Sequence, residues 1–228
     1  MKANLFINYY VDKHKERHQE IVRCLLHNLR NKQIDRVMIF VDMATVKNIE
    51  SVINGNNLSV KEKFKVIFHI REERPTYNDY FIESADYVDD INVIANTDIT
   101  FEESGLERLK SFKFDNRCLA LTRWDYLTGE MNKQVVRFYN RRDSQDAWIV
   151  QGNFKQIPEA NFPLGKKGCD NKIAFLLSKK YIMLNPSRTI RTFHLHLTNV
   201  RNYAPHGTKE DLIPPPYKLI QPTNMPRR

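Results

Sequence analysis

The sequence predicts an α/β fold built on a mainly parallel central sheet flanked by helices. Short apolar runs rich in β-branched and aromatic residues recur through the first half, LFINYY, RVMIFVD, KVIFHI and INVIA, and such runs bounded by polar residues read as buried strands. Between the first two lies Lys15 to Leu29, where Ile21, Val22, Leu25, Leu26 and Leu29 keep helical spacing along one face. Strand, helix, strand is the unit that sets parallel strands side by side through a right-handed crossover.

The first strand spans Leu5 to Tyr10, and the second ends at Asp42. Ile49 to Val60 contains Asn54-Gly55-Asn56-Asn57, a turn signal that predicts a variable loop or broken helix. KVIFHI is the third strand. Pro75 and Thr76 mark the start of a helix through TYNDYFIESADYV, with Thr76 as its cap. That helix feeds INVIANTDITF, Ile91 to Phe101, an apolar strand running straight into Asn96-Thr97-Asp98. The second half predicts a short helix near Ser104 to Lys110, the strand RCLALTRWD, a polar stretch with two strand fragments, and the strand DAWIVQG. A loop over Asn161 to Gly168 precedes a helix from Asp170 through Ile173, Ala174, Leu176 and Leu177. YIMLNP and TIRTFHLHL close as strands, the latter placing Thr192, His194 and His196 on one face by the two-residue period. Beyond Arg201 the prolines, Pro214-Pro215-Pro216 among them, predict an extended tail.

At 228 residues, with 41% hydrophobic and 28% charged residues, the chain has the balance of one globular domain with an appendage. No apolar run reaches the roughly 20 residues that span a bilayer, and the N-terminus lacks a signal-peptide core, so a cytoplasmic address is expected. Cys24, Cys118 and Cys169 are widely separated and show no metal-binding pair spacing, so neither a zinc site nor a disulfide framework is indicated. The net charge of +9 favours anionic ligands without choosing among them, and the basic residues are scattered rather than gathered into a nucleic-acid stripe.

Ligands of a parallel sheet gather at the carboxyl ends of its strands, where Asp98 falls. A carboxylate there suits a hard divalent cation, which in turn holds a diphosphate. Asp170 opens a helix after a glycine-bearing loop, and His194 and His196 stand on a late strand. Each has a purely structural alternative: Asn-Thr-Asp as a turn, Asp170 as a helix cap, the histidines as hydrogen-bonded residues of a sheet face.

Taken in order, GCDNKIAFLLSKKYIMLNPSRTIRTFHLH resembles the closing segment of GT-A-fold glycosyltransferases of the family-2 type, in which an acidic pair opens a helix, the next strand ends near a proline, and a histidine follows. Asn96-Thr97-Asp98 resembles that fold's Asp-X-Asp motif, and the opening strand-helix-strand its nucleotide-binding half. Small virus-encoded and bacterial sugar transferases match its compact size. The resemblance implies a GT-A-like domain over residues 1–203, with a nucleotide-binding half at 1–101 and an acceptor half at 102–203, and a tail at 204–228. Two positions depart from the pattern: Asn96 stands where the first Asp is usual and Cys169 where the Glu of the acidic pair is usual.

What the resemblance implies is a metal-dependent, inverting hexosyl- or deoxyhexosyltransferase that takes a nucleoside-diphosphate sugar, a UDP-sugar by preference, to a hydroxyl of a glycan or glycoprotein. Asp98 is then the metal ligand, with His194 and His196 as further metal or diphosphate contacts, the metal being Mn2+ or Mg2+. Asp170 is the general base. Asn8, Tyr9, Asp42 and Asn96 are placed for the donor nucleotide, and Arg71 and Arg74 for phosphate or, alternatively, for a solvated loop beside Glu72 and Glu73. Asp143 to Trp148 lines the acceptor side, Trp148 either facing a sugar or filling the core. Two other readings stand: a nucleic-acid-binding module using the positive charge and Tyr9, Tyr10, Tyr77 and Tyr80, and a nucleotide-sugar-binding scaffold without turnover, motivated by Asn96 and Cys169. No nucleic-acid partner is expected on the first reading.

Overall fold

The computed structural model describes residues 1–198 and 212–226. Its first half contains β1 (Ala3–Asn8), α1 (Lys15–Arg30), β2 (Arg36–Val41), α2 (Met43–Gly55), α3 (Val60–Lys63), β3 (Val66–Ile70), α4 (Tyr77–Ser84), β4 (Ile91–Ala95) and β5 (Ile99–Phe101). Then follow α5 (Glu103–Lys110), β6 (Arg117–Leu121), β7 (Trp124–Tyr126), β8 (Val136–Phe138), β9 (Ala147–Gln151), α6 (Cys169–Leu177), β10 (Ile182–Leu184) and β11 (Thr192–His194). Seven strands form one sheet in the order β10-β6-β9-β4-β1-β2-β3, and four form a second, β5-β11-β7-β8. Within the large sheet all neighbours are parallel except those of β9, which runs antiparallel to β4 and β6.

The strand period divides the core between the two faces of the sheet. Leu5, Ile7, Val37, Ile39, Val93 and Ala95 point to one side and pack with Ile21, Leu25 and Leu29 of α1. Phe6, Met38, Phe40, Ile94, Trp148 and Val150 point to the other and meet Tyr77, Tyr80 and Phe81 of α4 and Ile173, Ala174 and Leu177 of α6. Trp148 is therefore core, in edge-to-face contact with Tyr77, and offers no face to a sugar. Tyr9, Tyr77 and Tyr80 are equally buried, which removes them as base-stacking platforms for a nucleic acid.

Several local expectations change. The segment around Ile49 is helix α2 through Gly55, started by Asp42, whose carboxylate accepts hydrogen bonds from the Thr45 N–H at 2.8 Å and hydroxyl at 3.0 Å. Asn54-Gly55-Asn56-Asn57 ends this helix instead of breaking it. INVIANTDITF and RCLALTRWD each divide between the two sheets, as β4 and β5 and as β6 and β7. TIRTFHLHL keeps strand geometry only over Thr192–His194, so His196 lies beyond the strand. Helix α4 begins as expected, with Thr76 and Asp79 forming a reciprocal capping box.

Helix α1 spans both layers. Buried amides on it and at its C-terminal cap donate to the small sheet, Asn28 to the Ile99 carbonyl at 2.8 Å and Asn31 to the Phe101 carbonyl at 2.9 Å, and this holds β5 and the preceding Asp98 in place. Residues 212–226 form no helix and no extended strand, as the prolines require, yet they lie against the domain. The Ile213 N–H donates to the Lys167 carbonyl, that of Lys218 to Asn171, that of Ile220 to Arg142 and that of Thr223 to Asn185. The tail boundary expected at 203/204 lies outside the described residues. No helix among the described residues is long and apolar enough to cross a membrane.

Candidate active site

Strands β4, β1 and β2 are parallel neighbours, so their carboxyl ends open on one side of the sheet. There the Thr97 hydroxyl donates to the Asn8 carbonyl, pinning the turn after β4 to the end of β1. The Asn96 N–H and side-chain amide both donate to Asp146, the first to its carbonyl and the second to its carboxylate, each at 3.1 Å. Beyond these ends lies a cleft of about 850 Å³. Asn8, Tyr9, Asp42, Arg71, Arg74, Asn96, Asp98, Asp170, His194 and His196 all line it. They come from six separate stretches of chain, and no local spacing in the sequence expresses that convergence.

The floor of the cleft is a chain of alternating charges. Glu20 pairs with Arg17 at 2.9 Å and Arg17 with Asp98. Asp98 meets His194 Nε2 at 3.2 Å, and His194 Nδ1 meets Asp125 at 3.0 Å. Asp125 pairs with Arg123 at 2.9 Å, and Arg123 reaches Asp146 at 3.1 Å. Burial by itself would raise the Asp98 carboxyl, but His194 and Arg17 hold it far below the usual carboxylate range. Burial likewise opposes a charge on His194, yet Asp98 and the hydrogen bonds of Asp125 and Asp98 push it up to about 9. Breaking a buried pair such as Arg17–Asp98 by removing one partner costs about 3–5 kcal/mol.

Asp98, His194 and His196 each present a ligand atom within 4.8 Å of the others. The set suits a divalent metal on a second ground. Asp125 holds Nδ1 of His194, the carboxylate-histidine arrangement that orients an imidazole for a metal, and a bound cation would take the place of the Nε2 proton that now faces Asp98.

Asp170 is the second residue of α6, not its cap. Gly168 occupies the cap at φ 81°, where a Cβ would come within 2.9 Å of both the Ile213 carbonyl and the Tyr217 hydroxyl. The Cys169 thiol donates to Asp170 Oδ1 at 3.1 Å. A helix start favours an ionised carboxylate. Burial and, after it, the charge of Asp146 outweigh that and push Asp170 up to about 7.

The residues expected from the sequence to meet the donor differ in their freedom. Tyr9 is buried and gives its hydroxyl to Asn48 at 3.0 Å, so Tyr10 is the more accessible of the two tyrosines. Arg71 is paired with Glu83 at 2.9 Å, whereas Arg74 is exposed. Sequence reasoning missed Arg17, Asp125 and Arg123. An arginine one turn before Ile21 on the apolar face of α1 was the available signal for the first, and charges flanking Trp124 at the two-residue period for the others.

No protein-family model matches the chain, and no curated protein sequence matches it. Solved structures do. The S. aureus protein TarS, residues 1–349 in complex with UDP-GlcNAc, is similar over 86% of this chain and 59% of its own, with 12% identity and a TM-score of 0.55. The mannosyltransferase PcManGT from Pyrobaculum calidifontis, in complex with GDP-Man and Mn2+, is similar over 89% of this chain and 58% of its own, with 9% identity and a TM-score of 0.52. The chain thus spans somewhat under two thirds of each. A seven-stranded sheet reversed only at β9, with helices on both faces and a cleft at its strand ends, is the GT-A-like fold that this chain shares with them.

Proposed function

We propose that the protein is a metal-dependent glycosyltransferase that moves a sugar from a nucleoside-diphosphate sugar to an acceptor hydroxyl with inversion, Asp170 serving as general base. The observation that carries this reading is the pairing, in one cleft, of an Asp98–His194–His196 cluster with a separate carboxylate of raised proton affinity. Asp98, His194 and His196 would hold a divalent cation, which would supply positive charge to offset the charge that develops on the departing diphosphate. Two imidazoles in the donor set weigh against magnesium, which prefers oxygen ligands, and toward manganese.

The protein's own groups account for the rest. Asp125 keeps His194 in the orientation that faces the cleft, and Arg17 adds fixed positive charge beside Asp98. Asn8, Asp42 and Asn96 offer polar groups at the strand ends to the donor's base and ribose. Asp170 takes the proton of the acceptor hydroxyl as that oxygen attacks. A carboxylate with pKa about 7 is more basic than an ordinary one and is still ionised near neutrality. A UDP-sugar remains the first donor to try, with a glycan or glycoprotein as acceptor and a cytoplasmic address.

A thermal-shift screen of UDP, GDP and their sugar conjugates, with and without Mn2+, tests the reading, because a ligand bound by the native state alone raises its stability. We expect at least one diphosphate to stabilise the protein more with metal than without. Indifference to every nucleotide would overturn the proposal, and binding without any turnover would return the chain to a sugar-nucleotide-binding scaffold.

A further inference from the structure

The cleft carries more positive charge than the reading above uses. Of the arginines that line it, Arg17 is bound to Asp98 and Glu20, Arg71 to Glu83, Arg123 to Asp125 and Asp146, and Arg141 to Asp143. Arg74, Lys166 and Lys167 line the same cleft, are exposed, and have no acidic side chain in contact among the described residues.

The backbone brings these three together. The segment entering α4 runs antiparallel to the loop before α6, with Thr76 bridging Pro163 and the Tyr77 N–H donating to the Phe162 carbonyl at 3.1 Å. Continued outward, that register sets Arg74 opposite Gly165. The guanidinium lies directly on the glycine, since a Cβ at Gly165 would come within 2.7 Å of Arg74 Nη2, and Gly165 has a φ of 79° that disfavours any other residue. Lys166 and Lys167 come next, and Lys167 is tied through its carbonyl to the Ile213 N–H at 2.9 Å. Three like charges on adjoining backbone repel one another, and an anion bound among them relieves that cost.

We propose that Arg74, Lys166 and Lys167 bind an anionic group, a phosphate or a carboxylate, carried by the acceptor. The assignment to the acceptor rests on the transferase reading, in which Asp170 marks the acceptor side. The loop bearing the two lysines runs directly into α6, and Lys167 precedes Asp170 by three positions. On that reading the donor's diphosphate has its match in the divalent cation that Asp98, His194 and His196 would hold. Arg74, expected from the sequence to meet phosphate, lies on the segment entering α4 and rests against Gly165 of the loop before α6. A neutral sugar acceptor would leave all three cations without an acidic group in contact among the described residues.

The test titrates inorganic phosphate into the 15N-labelled protein at constant ionic strength and follows the backbone amides of Gly165, Lys166 and Gly168, with and without saturating UDP and Mg2+. A variant carrying Arg74→Gln, Lys166→Gln and Lys167→Gln is the comparison, and calorimetry gives the UDP affinity of both proteins. We expect saturable phosphate shifts in the wild type whether or not UDP is bound, weaker by about tenfold or more in the variant, with UDP affinity nearly unchanged. Chloride shifting these amides as much as phosphate would make the cluster ordinary solvated surface and overturn the proposal. Competition between phosphate and UDP, or a loss of UDP affinity of about tenfold in the variant, would assign the cations to the donor and overturn it as well. A wild-type protein that binds phosphate here, but no nucleoside diphosphate with Mn2+ or Mg2+, would overturn the transferase reading and the acceptor assignment together, leaving an anion site.

Discussion

Replacing Asp170 with asparagine separates a catalytic carboxylate from a structural one. The amide matches the carboxylate in shape and can still accept the Cys169 thiol, and Gly168 rather than Asp170 holds the cap, so the start of α6 should survive. The carboxyl group of Asp170 is raised from 3.8 to about 7, first by burial and then by Asp146. An acid raised on folding binds more protons in the native than in the unfolded state between those values, so its contribution to stability falls as pH rises from about 4 to about 7 and is constant above. The full shift corresponds to about 4 kcal/mol. Water in the cleft reaches part of this side chain and reduces the expected figure to about 1–2 kcal/mol. Asp170→Asn is therefore expected to equal the wild type in stability near pH 4 and to exceed it by about 1–2 kcal/mol at pH 8, read from urea unfolding at both values. Transfer should fall by about a hundredfold to ten-thousandfold in single-turnover assays, with donor affinity nearly unchanged. The wild-type rate should rise with pH through about 7 as the base ionises. Wild-type turnover by the variant would refute Asp170 as base, and a lost donor affinity would move it to the metal cluster.

Asp98→Ala should abolish the metal-dependent part of nucleoside-diphosphate binding in calorimetry and, by removing one of the two carboxylates that pair with buried Arg17, destabilise the fold by up to about 3 kcal/mol; an unchanged metal effect would place the cation elsewhere. Asp125→Asn should weaken metal affinity by about tenfold to a hundredfold while circular dichroism stays native, because His194 loses the partner that orients it. His194→Ala should weaken metal-dependent donor binding more than His196→Ala, since His194 is strand-held and meets a carboxylate at each ring nitrogen. Gly168→Ala should lower stability by about 1–3 kcal/mol, readable as a drop in Tm, because the residue has a φ of 81° and its Cβ would crowd Ile213 and Tyr217.

The alternation of apolar runs with a helical face determined, without any tertiary information, that the first half is a parallel β-α-β array. Burial on both faces of a sheet demands near-continuous apolar strands, and LFINYY, RVMIFVD and INVIA express that demand locally. The strand ends were legible for the same reason, and with them the neighbourhood of Asn8, Asp42 and Asp98. Tertiary structure alone decided where each apolar run breaks. RCLALTRWD is apolar enough for one strand, yet it changes sheets at Thr122, whose N–H and hydroxyl are bound by Asn185, Ser187 and two carbonyls from a distant loop. The direction of β9 was equally hidden, because a fully buried strand reads the same parallel or antiparallel. Charge pairing was the least legible: Arg17 and Asp98 are 81 positions apart, beyond the reach of any local pattern, and the place of Arg17 one turn before Ile21 marks it as facing inward without naming its partner. The raised proton affinity of Asp170 had the opposite sign to the one its helix position implied. A helix start acts through local dipoles visible in the sequence, whereas desolvation and the nearby charge of Asp146 exist only once the chain has closed around the cleft.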